Sequence, residues 1–172
     1  MKLERIFIIA LSMAIITACA GNEGAKTDNE RVLKEILVYE HAKAWEKGDY
    51  GLLDLILHED VVFAYPGRRL NKSQTLEDLV AYNKSFKDTK IYINKIIIEG
   101  NDLAVEWQFA STSVKTGNRT AVSDAIIGKI KNGKIIVWKE YLDGRVSRMQ
   151  SNGTLELEEG QEPFPWPKKK SG

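Results

Sequence analysis

The sequence predicts an α+β domain: about three N-terminal helices packed in a strongly curved antiparallel sheet. Three observations carry that expectation. Apolar residues recur at helical spacing from Leu33 to Trp45, and helical patterning returns twice before Phe86. From Lys90 onward apolar and polar residues alternate with a period of two, in segments parted by Gly-Asn-Asp, Thr-Gly-Asn and Asn-Gly. Helices first and hairpin-linked strands after them is the order of an α+β chain.

The first helix starts near Thr27 or Asp28, where Thr27 and Glu30 have the spacing of a capping box. Leu33, Leu37, His41 and Trp45 repeat every fourth residue, with Ile36 and Ala44 beside them, so one face is apolar. Gly48 stops this helix and Asp49 caps a second one over Tyr50–Leu57. His58, at its end, suits the helix dipole. A strand, Val61–Tyr65, closes at Pro66-Gly67. The third helix runs from about Gln74 to Phe86 with Ser73 as its cap and Leu76, Leu79, Val80 and Phe86 on its buried side. Strands follow over Lys90–Glu99, Leu103–Ala110, Thr120–Lys131 and Lys134–Asp143, the last pair joined by the strong hairpin signal Asn132-Gly133. The sheet has to curve around the first helix to bury Leu33, Leu37 and Trp45 together with Trp107 and Ile126.

A chain of 172 residues suits one domain, and its 25 basic and 24 acidic residues are interspersed. Without a basic stripe, nucleic acid is not an expected partner. The N-terminus is different. Lys2 and Arg5 precede the apolar run Ile6–Ile16, too short for a membrane span and suited to a signal peptide. The run leads into Ile16-Thr17-Ala18-Cys19, which resembles the bacterial lipobox; the alternative is a plain secretory signal with an incidental cysteine. The expected organisation is a lipoprotein signal peptide over residues 1–18, lipidated Cys19 and a polar tether over 19–29, a domain over 30–150, and a Pro-rich charged tail over 151–172. Cys19 is the only cysteine, so once it is lipidated, disulfides and Cys-based zinc or redox sites are excluded. Two or more acyl chains would anchor the chain to a membrane outside the cytoplasm. Ala20 points to the outer membrane in a Gram-negative cell, because Asp at that place is the inner-membrane retention signal. The tail, with Pro163-Phe164-Pro165-Trp166-Pro167, reads as extended and disordered; Phe164 and Trp166 are the residues that would dock it.

Four segments in order carry a resemblance: Trp45-Glu46-Lys47-Gly48-Asp49, Glu59-Asp60-Val61-Val62-Phe63, Gly100 through Trp107, and Asn132-Gly133-Lys134-Ile135 with Lys139 through Asp143. Their order and spacing are similar to the nuclear transport factor 2-like superfamily, in its SnoaL-like and ketosteroid isomerase-like branch, over roughly residues 30–148. The resemblance implies a cone-shaped α+β barrel, a pocket open at one end, and a possible homodimer through the outer sheet face. It does not imply one activity, since the superfamily holds isomerases, cyclases, dehydratases, epoxide hydrolases and pure binding domains. Where the ketosteroid isomerases carry a general-base Asp, this chain has Tyr65, and a phenol with a pKa near 10 is no substitute at neutral pH. Where they carry a Tyr on the first helix it has His41. The position of their protonated Asp falls at Ala125–Ile126, beside Asp124. The resemblance therefore implies the fold and argues against steroid-type isomerisation.

Three residues remain as candidates for proton chemistry. His41 lies on the apolar stripe of the first helix, as either a hydrogen-bonded core histidine or a pocket acid/base group. Asp124 is in phase with Val122, Ile126 and Ile130, hence inward, as a structural carboxylate or as the partner of His41 in a dyad. Tyr65 shares the phase of Val61 and Phe63, with its hydroxyl at the cavity mouth. Trp45, Trp107 and Trp138 are candidate apolar walls, with Tyr65 and His41 as polar contacts. Arg68 and Arg69 follow the turn at the expected rim, as surface charge or as anchors for an acidic group. Tyr141 and Asp143 belong to the closing strand. Two histidines, no HExxH pattern, no acid cluster at ligand spacing and no Gly-rich phosphate loop give no sign of a metal or a cofactor. Three functions follow from these residues. One is an envelope lipoprotein that binds a small, largely apolar molecule. The second is a lyase or isomerase using His41, Asp124 and Tyr65, groups of the kinds used in the scytalone dehydratase branch. The third is an association module without a ligand.

Overall fold

The computed structural model describes residues 28–164. The expected signal peptide, Cys19 and most of the tether lie outside the described residues, as do Trp166 and the end of the tail. The chain divides into two compact units after Lys34. Of the first unit, residues 28–34 are described; they are helical, and all but Lys34 are exposed. The second unit, from Glu35, holds the rest.

Helix α1 covers residues 28–47. Its buried side is Val38, His41, Ala42 and Trp45, whereas Leu33 and Ile36 are exposed, so the apolar stripe is rotated from the expected one. Gly48 ends α1 with φ +65°, and a Cβ there would lie 2.4 Å from the Asn83 amide nitrogen. Asp49 caps α2 (Tyr50–Ile56) by accepting from the Leu52 N–H. Strand β1 (Leu57–Tyr65) begins earlier than expected. His58 is accordingly a strand residue that accepts from the Asp60 N–H, and it caps no helix. After Pro66-Gly67 comes a short strand the sequence did not announce, β2 (Arg68–Leu70). Asn71, not Ser73, caps α3 (Lys72–Ser85), in a reciprocal capping box with Gln74.

Strands β3 (Phe86–Glu99), β4 (Asp102–Ser113), β5 (Arg119–Lys131) and β6 (Lys134–Leu142) then form consecutive antiparallel hairpins. A fourth helix, α4 (Gly144–Ser151), follows, capped by Asp143. The fold is α+β, with four helices among the described residues around one curved, unclosed sheet in the order β2-β1-β6-β5-β4-β3. The sheet is mixed rather than antiparallel: β1 lies parallel to β6. That pairing joins strands some seventy residues apart, and no local turn signal records it.

Two irregularities place the site. Near the start of β3 the register slips between Lys87 and Lys90, and the Ile91 N–H donates to the Glu46 carboxylate of α1 at 2.8 Å. This fixes α1, and with it Trp45, against the sheet. In β6 the register with β5 slips between Ile135 and Val137, a bulge that changes which residues face inward. Ile135 and Trp138 are both fully buried as a result, although a regular strand would put them on opposite faces.

Residues 152–164 correct the expectation of a disordered tail. They lie on the outer sheet face, where the Gln108 amide donates to the Gln161 carbonyl and accepts from the Phe164 N–H, both at 2.8 Å. Arg119 holds the Glu162 carboxylate with two N–H groups, and the Tyr92 hydroxyl donates to it at 3.0 Å. Gln108 is only 1% exposed. A buried amide needs partners, and the tail backbone supplies them.

Candidate functional site

On the inner side of the sheet a cavity of about 230 Å³ opens between α1, α3, α4 and strands β1 and β3 to β6. Aromatic rings make most of its wall. Trp45 is central, stacked at 6.1 Å on Phe63 and edge-on to Tyr82 and Phe109 at 5.7 and 6.3 Å; Tyr82 in turn stacks on Phe86 at 4.8 Å. Ser111 and Thr120 share a hydrogen bond at 3.1 Å on the same wall, and Val122 and Leu142 complete its apolar part. Its carboxyl groups are three: Asp78, Asp124 and Glu140.

Asp124 and Glu140 form one group. Ile126 pairs with Glu140 across β5 and β6, which sets Asp124 diagonal to Glu140 on the inward face. Asp124 accepts from the Trp107 indole N–H at 3.2 Å and from the Tyr141 backbone N–H at 2.9 Å. Glu140 accepts from the Trp138 indole N–H at 2.9 Å. Burial pushes Asp124 up to about 6 against the pull of those donors. Burial, with the Asp124 charge second, pushes Glu140 up to about 8. Two carboxyls on one wall cannot both ionise cheaply, so Glu140 keeps its proton to higher pH than Asp124.

The second polar group lies toward the mouth. Tyr65 donates its hydroxyl to Asp78 at 2.9 Å, and the Arg68 guanidinium stands 3.9 Å from the same carboxylate. Burial, and then the bond to Asp78, push the phenol up to about 12. Tyr65 is thus a hydrogen-bond donor, never a base near neutrality.

The structure brings some of the sequence candidates together and separates others. Tyr65, Asp124 and Trp45 line the cavity. His41 does not. It is fully buried, its ring stacked 4.0 Å from Trp138, with Phe63 and Trp107 at 5.9 and 5.8 Å. Its Nε2 accepts from the Trp45 indole N–H at 3.3 Å, and its Nδ1 has no partner. Burial lowers its pKa to about 3, so it stays neutral. The expected His41–Asp124 dyad is not formed. Trp107 and Trp138 are also absent from the cavity lining, being 1% and 0% exposed; they stand behind the wall and aim their N–H groups at Asp124 and Glu140. Arg69, Tyr141 and Asp143 are exposed, with Asp143 engaged by Arg145 at 2.7 Å.

Glu140 and Asp78 are the carboxyl groups of the cavity that the sequence pattern did not single out. Alternation counted from Ile135 puts Glu140 outside, and only the bulge turns it in. The one available signal was its phase with Trp138. Asp78 lies between Glu77 and Leu79 on α3, and no motif marks it.

Residues 38–138 match the SnoaL-like domain. The chain belongs to that family. None of the curated proteins matches it. Its SnoaL-like domain is similar in fold to several solved structures. One is a protein with a ketosteroid isomerase-like fold from Catenulispora acidiphila DSM 44928, solved in complex with trimethylamine (16% identity, 67% of this chain, 92% of that chain, TM-score 0.63). Another is TsrD from Streptomyces laurentii (18%, 73% and 98%, 0.62). A third is an LEH-like epoxide hydrolase from M. tuberculosis (18%, 68% and 87%, 0.59). At these identities the likeness is one of fold, and the chemistry has to be argued from this chain's own residues.

Proposed function

We propose that the protein is an envelope lipoprotein whose SnoaL-like domain binds a small, largely apolar molecule. The observation that carries the reading is the aromatic-walled cavity of about 230 Å³ with the Asp124–Glu140 pair on one side. A pocket of that make-up favours an apolar body and sets its orientation through few polar groups. The anchor rests on the sequence alone: the apolar run, the Ala18-Cys19 junction and the single cysteine. On that reading lipidated Cys19 holds the domain outside the cytoplasm, at the outer membrane in a Gram-negative cell. A homodimer through the outer sheet face has to form beside the tail that already lies there.

A titration of the full-length chain in maltoside micelles with small apolar alcohols tests the binding role. Saturable shifts of the Trp45 and Phe109 ring signals are expected. Binding confined to the micelle, with those signals unmoved, refutes it. For the anchor, Cys19→Ser should release the chain from the membrane fraction; if it stays, the lipoprotein reading fails.

A second reading is favoured by the separated titration of the pair. An ionised Asp124 beside a protonated Glu140 is a general base beside a general acid, the arrangement a lyase or isomerase needs. Tyr65 would then turn its hydroxyl from Asp78 to donate to the substrate at the mouth. On this reading Asp124→Asn should remove turnover of a substrate while leaving its binding measurable.

A further inference from the structure

We infer that the ligand of this cavity is a small organic cation, an ammonium group carrying apolar substituents. The inference rests on the ligand-binding reading above and narrows it to one chemical class.

The cavity wall holds three carboxyl-bearing residues and no lysine, arginine or histidine. At its mouth Asp78 already has company in Arg68. The deeper pair has none. Asp124, 6% exposed, receives only neutral N–H donors, and Glu140 receives only an indole N–H. Among the described residues no cationic side chain forms an ion pair with either of them. Buried carboxylates are normally paired with a positive group, because desolvation without one is costly. Here the protein supplies every part of such a pair except the cation.

The aromatic lining of the cavity has the matching chemistry. Trp45, Phe63, Tyr82 and Phe109 present π faces and edges to the same space, and aromatic faces attract an ammonium group through their quadrupole. A neutral apolar ligand would leave the pair uncompensated. An acid or a phosphate would meet carboxylates with only Arg68 at the rim to oppose them. A metal ion is a poor fit, since among the described residues no group of three or more His, Cys, Asp or Glu is placed to hold one.

A bound cation pairs with the ionised Asp124 and favours ionisation of Glu140 as well. Affinity for a permanently charged cation should therefore rise with pH through the range in which the pair titrates, and binding should release protons. The groups facing the pair are Tyr65 of β1, Asp78 and Tyr82 of α3, and Arg68 of β2 beside Asp78. From α1 the ionisable group behind the wall is His41, which is neutral there.

The experiment is a comparison of three molecules of one shape and different charge: choline, 3,3-dimethylbutan-1-ol and 3,3-dimethylbutanoate. Each is titrated calorimetrically into the full-length chain in maltoside micelles, in two buffers of different ionisation heat. Choline should bind at least about tenfold more tightly than the alcohol, the butanoate weakest, with proton release on choline binding. In the Asp124→Asn, Glu140→Gln double variant choline should lose its advantage over the alcohol. Equal binding of choline and the alcohol would overturn the inference and leave the apolar-pocket reading standing. Binding of none of the three would overturn both. Tightest binding of the butanoate would also overturn the inference, and with it the placing of charge in the cavity.

Discussion

Glu140→Gln should make the protein more stable at alkaline pH, and the structure sets the size of the effect. Burial and the neighbouring Asp124 raise the Glu140 carboxyl from 4.5 to about 8 in the fold. Because the folded pKa is the higher one, the folded chain binds more protons than the unfolded chain between those values, and stability falls as pH rises. Two other buried groups act at lower pH. His41, held at about 3, makes the fold less stable as pH drops below its unfolded value of 6.5, and is neutral in both states above it. Asp124, at about 6, is largely ionised in both states once pH passes 7. Glu140 is thus the main contributor above about pH 6.5, and its titration should cost at most about 2 kcal/mol between about pH 6.5 and 8.5. The assay is urea denaturation of the parent chain and the variant at both pH values. The parent should lose stability across that interval and the variant should hold level. If the two curves fall in parallel, Glu140 is not the group that keeps its proton in the fold, and the reasoning about the pair fails.

Other outcomes follow from the same structure. In an NMR titration the His41 ring should show no protonation down to about pH 4, because its burial lowers its pKa to about 3; a midpoint near 6.5 would mean that it reaches solvent or a carboxylate. Gly128→Ala should cost about 1–3 kcal/mol in thermal or chemical unfolding. The added Cβ would lie 2.8 Å from Leu103 and 3.0 Å from the Val137 carbonyl. Gln108→Ala removes the two hydrogen bonds that Gln108 makes to the tail backbone, so limited proteolysis should clip the chain after Ser151 faster than in the parent while the domain stays intact.

The parts of this fold that were legible are those with local causes. Gly48, Asp49 and Asn132-Gly133 mark where elements end and begin, and strand alternation pointed Asp124 and Tyr65 inward. What stayed hidden depends on distant or irregular backbone. The parallel β1–β6 pairing leaves no mark on either strand. The bulge near Ile136 reverses the phase of β6 and takes Glu140 from an apparent surface position into the cavity. His41 misled in the other direction. Its place on the apolar stripe was apparent, but three indoles and Phe63 around it turn a potential acid/base group into a neutral core residue. Gln108 looked like an outer-face polar residue, and only the docked tail explains its burial.

The most direct test of the binding site is to locate a bound ligand by nuclear Overhauser contacts in the full-length chain saturated with choline. Contacts are expected from the choline methyls to the rings of Trp45, Phe63 and Phe109, with the carboxyl signals of Asp124 and Glu140 shifted. Contacts only to outer-face residues such as Tyr141, or none to the cavity rings, would contradict it.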